Sequence, residues 1–274
     1  MTTGDVGDAS YVIQTGAAAH DRLELIARLC WPTTEAFLTR AGAFDAERFV
    51  DVGCGIGDVA SRVAERGARE VTGVDVNAEV VAAAAERAGQ CGSPAVFRTG
   101  TLDDLGVDAS LSGFDAVFAR CVLSHQSDPA KGLAAMIAAA RPGGAILVED
   151  VHVAAVWSSP RSDALARHVE LYVGAALGLG ASPDIGCELA GLLHDLGATD
   201  IDVGVVQPLL REPADLQIHA RTMEAIAAPV VEQGLATEAE VAEIVADLDR
   251  FAVTPGVYAT LPRIIQVSAR APRT

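Results

Sequence analysis

A strand that runs into three alternating glycines, and then into a helix, constrains this chain more than any other feature. Residues 48–52 read as a short strand, Gly53, Cys54, Gly55, Ile56 and Gly57 form the loop, and Val59, Val63 and Ala64 start a helical spacing. Glycines there let the backbone approach a ligand closely, and the following helix aims its free N–H groups at it. The next strand candidate, 70–74, ends at Asp75, an acid placed to accept hydrogen bonds from ribose hydroxyls. Asn77 is positioned to cap a helix over 78–90. Loop, strand context and acid together say more than a glycine loop alone; the bland alternative is a tight turn with no ligand.

The rest of the chain extends the same alternation. Residues 95–99, 114–119 and 145–149 read as further strands, Asp128-Pro129 as a helix start, and Arg141-Pro142-Gly143-Gly144 as a turn. Continuous apolar strands alternating with helices predict a parallel sheet covered on both faces. After residue 151 the pattern changes to helices over 161–179, 184–196, 214–233 and 238–251, with strands at 200–206 and 263–269. Thr237 with Glu240 is a capping-box signal, and residues 16–40 read as a helix ahead of the sheet. The chain of 274 residues, half of them apolar, is long enough for one large domain with added helices.

Composition narrows the partners. Twenty basic against 37 acidic residues give a net charge of −17, which disfavours nucleic acid and anionic membranes. No run of about 18 uninterrupted apolar residues is present, so no integral membrane segment is expected. The first residues carry Asp5 and Asp8 and no positive region, unlike a signal peptide. Five scattered cysteines without a Cys-x-x-Cys pair suit reduced thiols and a cytoplasmic setting, not a disulfide framework or a zinc site.

Two cofactors compete for the loop. A nicotinamide dinucleotide site wants a last glycine where this chain has Asp58. The loop also carries an acid in front, Asp51, which suits a cationic ammonium or sulfonium better than a pyrophosphate. There is no Tyr-x-x-x-Lys relay, and Lys131 is the only lysine. The charge logic favours S-adenosylmethionine.

On these residues the chain resembles the class I S-adenosylmethionine-dependent methyltransferases, and among them the small-molecule enzymes of natural-product and quinone pathways. Val50 to Asp58 resembles the family's first motif, Val74-Asp75-Val76-Asn77 its second, and Gly100-Thr101-Leu102 the segment that contacts adenine, with Thr101 where the family often has an acid. Residues 114–125 and 141–145 resemble the fourth strand with its loop and the turn before the fifth. The resemblance implies a Rossmann-like, seven-stranded mixed α/β sheet in the order 3-2-1-4-5-7-6 with its last strand antiparallel. It implies a cap segment over 1–47, a methyltransferase domain over 48–274, and helical lid insertions at about 155–197 and 212–253. Cofactor contacts are implied at Tyr11, Asp51, Gly53, Cys54, Gly55, Gly57, Asp75, Val76, Asn77, Thr101, Leu102 and Arg120. Tyr11, with Arg22 nearby in sequence, would close over the cofactor, whose product is S-adenosylhomocysteine.

For the chemistry, His125 after the fourth strand and His152 after the fifth are the candidate bases, since imidazole titrates near neutral pH. Arg120 is placed nearest the junction of cofactor and substrate. Each has a plainer alternative: a loop residue bonded to backbone or cofactor for His125, an exposed loop residue for His152, and an ion pair with Asp51 or Glu149 for Arg120. His168, His194 and His219 lie on helical stretches, where a lone histidine is usually structural. Glu149-Asp150 lacks the surroundings of a metal site, so none is expected. The expected function is methyl transfer by in-line displacement to a small, apolar, natural-product-type acceptor on O, N or C. A homodimer is compatible with this. Three alternatives remain open: a pericyclase-like protein of the same fold that promotes cyclisation or rearrangement without methyl transfer, a nicotinamide oxidoreductase, and a non-catalytic partner subunit.

Overall fold

The computed structural model describes residues 17–273. Tyr11 lies outside the described residues. A seven-stranded sheet forms the centre, made of β1 (Arg48–Val52), β2 (Glu70–Asp75), β3 (Val96–Thr99), β4 (Phe114–Arg120), β5 (Ala140–His152), β7 (Thr199–Val206) and β10 (Arg263–Arg270). Its order is β3-β2-β1-β4-β5-β10-β7. The first five strands run parallel, and β10 is antiparallel to both β5 and β7. With the three short strands set aside, this is the expected 3-2-1-4-5-7-6.

The strands are continuous apolar runs because both faces are covered. Along β1, β4 and β5, Phe49, Phe118 and Leu147 face one layer, while Val50, Val117 and Ile146 face the other. The first layer is α1 (Ala17–Ala41) with α2 (Asp58–Arg66); the second includes α4 (Pro129–Ala139) and α6 (Leu189–Asp195). Helix α3 (Ala78–Cys91) begins where expected, with Asn77 Oδ1 accepting from Glu79 N and Val80 N. Asp128 caps α4 through Lys131 N, 3.0 Å away.

The second half builds a separate apolar cluster from α5 (Asp163–Gly178), α8 (Ile218–Ala225) and α10 (Glu238–Ala252). Thr237 caps α10 by accepting from Glu240 N. The helix expected over 214–233 is instead three pieces: α7 (Pro213–Leu216), α8 and α9 (Ala227–Glu232). Pro229 explains one break, because its ring has no N–H to donate and clashes with the preceding turn. A small sheet, β6 (Ser158–Ser159), β9 (Tyr258–Thr260) and β8 (Leu209–Leu210), was not expected; strands of two or three residues carry no readable period. The Arg141-Pro142-Gly143-Gly144 turn is absorbed into the start of β5, where Gly143 has φ 72° and the β4–β5 register shifts. No helix among the described residues is long and apolar enough to cross a membrane.

Candidate cofactor and acceptor cavity

The carboxyl ends of β1, β2, β4 and β5 open into one cavity of about 990 Å³, roofed by α1, α5 and α8. Ligand pockets of drug-sized molecules run from roughly 300 to 1,000 Å³, so this one has room for more than a single small ligand. Helix α1 contributes Arg22, Ile26 and Cys30 to the wall, spaced one turn apart on one helix face.

The glycine loop forms the cavity floor. Gly53, Gly55 and Gly57 all have positive φ (65°, 53° and 74°). They serve different ends. A Cβ on Gly55 would meet nothing within 4 Å, so its backbone faces open space. A Cβ on Gly57 would lie 2.6 Å from the Phe97 ring, so Gly57 is needed for packing and does not reach the cavity wall. Asp75 holds the loop from beneath, with Oδ2 accepting from Gly55 N (3.0 Å) and Oδ1 from Asn77 N (3.0 Å). Val76, Asn77, Thr101 and Leu102 complete this end. Thr101 is occupied locally, its N and Oγ1 both donating to Asp104 Oδ2, and Asp103 is tied to Lys131 on the surface. The Thr101–Leu102 segment therefore presents Leu102 and backbone to the cavity instead of an acid.

Asp51 sits on β1 at 3% exposure and lines the cavity. Its Oδ2 accepts from Ala60 N at 3.1 Å. Burial raises its carboxyl to about pH 7 against the opposing pull of Arg120. From about pH 4 to 7 the folded protein thus holds a proton that the unfolded chain has released, so this group costs up to about 1.4 kcal/mol of stability per unit of rising pH. Asp51→Asn should flatten that dependence in urea-unfolding measurements taken across pH 4–7; an unchanged slope would mean Asp51 titrates normally.

Arg120 ends β4 and reaches Thr34 of α1 (3.2 Å), whose hydroxyl donates to Glu149 Oε2 (2.6 Å). Glu149 Oε1 also accepts from Gln266 Nε2 (2.7 Å). Arg120 is thus linked to Glu149 through Thr34, and it also lines the cavity. Asp150, fully buried, accepts from the backbone N–H groups of Leu123 (2.8 Å), Ser124 (3.1 Å) and Val151 (2.8 Å). It fixes the turn Leu123–His125 that carries His125 to the wall. These acids are structural, and no cluster able to hold a metal ion occurs among the described residues.

His125 does not titrate near neutrality as expected. Burial first, and Arg22 second, lower it to about 4. His152 ends β5 opposite Arg263 and is not brought to the cavity wall. Two histidines passed over in the sequence are brought there instead. His168 of α5 and His219 of α8 both line the cavity with ring centroids 6.1 Å apart. Burial lowers them to about 3 and about 4, so both are neutral. Each stands alone on its helix in sequence, and only the packing of α5 on α8 joins them.

A Rossmann-like sheet of this order with a ligand-sized opening at its glycine loop is the class I methyltransferase fold. Residues 43–173 match the family described as a methyltransferase domain. The chain is similar to the ubiquinone biosynthesis O-methyltransferase of Alkalilimnicola ehrlichii, 35% identical over 106 residues, 39% of this chain and 42% of that relative. The match thus spans less than half of that curated relative. Among solved structures, the (4+2)-cyclase SpnF aligns with a TM-score of 0.51 at 23% identity, covering 83% of this chain and 76% of that one. Haemonchus contortus phosphoethanolamine N-methyltransferase 2, in complex with phosphomonomethylethanolamine and S-adenosylhomocysteine, aligns at 0.54 and 19% identity, covering 88% and 53%. Both likenesses concern the fold.

Proposed function

We propose that this protein is an S-adenosylmethionine-dependent methyltransferase acting on a small, largely apolar, natural-product-type acceptor. The observation that carries the reading is the single cavity joining the Gly53–Gly55 loop and Asp75 to an apolar end under α5 and α8. The residues fit the cofactor on their own terms. Gly55 leaves open space for a close ligand, and Asp75 can turn from Gly55 N to ribose hydroxyls. A cationic ligand would hold the buried Asp51 ionised. Arg22, at 4% exposure, has a buried Nε without a partner among the described residues and suits the ligand's carboxylate.

When bound, the cofactor supplies a methyl group activated by a sulfonium. The chain's part is to align the acceptor with it and exclude water, which can be worth about 7–11 kcal/mol. His125, held by the Asp150-anchored turn, is the group placed to take a proton from a hydroxyl acceptor. A basicity near 4 is adequate for this, because an oxygen that has gained a methyl group becomes strongly acidic. Helices α5 and α8–α10 act as the lid over the acceptor. A same-fold cyclase would keep the cavity and yield no methylated product.

Asp75→Ala should weaken S-adenosylhomocysteine binding by about 1.5–3 kcal/mol, the worth of hydrogen bonds to a charged group. Titration calorimetry of wild type and variant checks it. Equal affinities would remove Asp75 from the ribose site.

A further inference from the structure

The cavity is polar in an uneven way. Its charged wall residues are Asp51, Asp58, Asp75, Glu79 and Arg120 around the glycine loop, with Arg22 on α1. The elements that close the far end bring no charge: α5 gives His168, Val169 and Tyr172, α8 gives Ile218, His219 and Thr222, and the segment before β10 gives Leu261 and Pro262. The two imidazoles are therefore the most basic groups there, and both are uncharged.

Their hydrogen bonding is incomplete. His168 Nδ1 lies 3.4 Å from Met223 Sδ. A thioether sulfur only accepts, so Nδ1 carries the proton and the His168 ring is held in one tautomer. His219 packs edge-on against that ring, at 65° between planes. Its Nε2 is buried and has no hydrogen-bond partner among the described residues. Buried polar atoms are nearly always paired, so an orphan on a cavity wall marks a missing ligand group.

Building on the methyltransferase reading, we propose that the α5–α8 end of the cavity is the acceptor subsite, in which His219, positioned by His168 and Met223, hydrogen-bonds a hydroxyl group of a neutral apolar acceptor. The selected class is an aromatic or alicyclic alcohol or phenol. An ammonium acceptor finds no carboxylate among the residues that α5, α8 and the segment before β10 bring to this end. A hydrocarbon leaves Nε2 unpaired.

The test uses the full chain saturated with S-adenosylhomocysteine and three probes of one shape: 2-naphthol, naphthalene and 2-naphthylmethylammonium. Wild type should bind 2-naphthol about tenfold more tightly than naphthalene, the worth of one hydrogen bond of about 1.4 kcal/mol. His219→Phe should erase that preference while leaving S-adenosylhomocysteine affinity within twofold, and His219→Gln, which keeps an acceptor, should restore much of it. His168→Phe should reduce it partly. Should one variant fail to fold, the other carries the comparison. Equal affinity for the first two probes, a preference that survives His219→Phe, a preference for the ammonium, or no binding of any probe overturns the proposal. Failure of S-adenosylhomocysteine to bind is read separately, in a prior titration without probe. That result defeats the cofactor reading, and the probe series on the unliganded chain still decides the subsite.

Discussion

Replacing His125 with alanine is expected to slow methyl transfer by about a hundred- to ten-thousandfold, the range over which a positioned acid or base contributes. Affinity for S-adenosylhomocysteine should stay within about threefold. The separation follows from geometry: His125 sits on the turn after β4, while the glycine loop and Asp75 are fixed independently by β1 and β2. The wild-type pH profile should differ from that of an ordinary histidine base. Burial and Arg22 lower His125 to about 4, so it is already deprotonated at pH 5.5. Turnover should be flat from about pH 5.5 to 8 and fall only as pH approaches 4. Single-turnover rates with an acceptor that the wild type methylates measure both effects. A limb near pH 6.5, or equal losses in binding and turnover, would take the base role from His125.

The second large effect is on stability. Asp150→Ala should cost about 3–6 kcal/mol, because several buried amides lose their acceptor at about 1–3 kcal/mol each. The orphaned donors are Leu123 N, Ser124 N and Val151 N, all now within 3.1 Å of the carboxylate. Asp150→Asn keeps one acceptor oxygen and should lose less. Urea unfolding of the three proteins ranks them. If Asp150→Ala unfolds with the wild-type midpoint, the turn before His125 is held by something other than Asp150.

The cofactor half of this architecture was readable because its constraints are local. Gly53, Gly55 and Gly57 adopt positive φ where a side chain would be strained or would collide, and Asn77 and Asp128 cap helices within a few residues of themselves. Both alternating faces of β1, β4 and β5 are buried, so apolar runs identify the sheet. The α5–α8 end of the cavity was not readable for the converse reason. His168 and His219 meet only because α5 packs directly on α8, with α6, β7, β8 and α7 between them in the chain, and nothing near either residue signals the other. Arg120 illustrates the middle case. Its plainer alternative is an ion pair with Asp51 or Glu149; the hydrogen-bonded link to Glu149 passes through Thr34 of α1, a residue with no sequence motif of its own. His125 does line the cavity, but its lowered basicity was not readable, since burial is a property of the packed roof and not of the loop.

The central claim is that the glycine loop and Asp75 bind S-adenosylmethionine. Parallel calorimetric titrations of the protein with S-adenosylmethionine, S-adenosylhomocysteine and NADH test it most directly. The account predicts micromolar binding of the first two, weakened at least tenfold by Asp75→Ala, and no binding of NADH. Binding of NADH, or of none of the three, would contradict it.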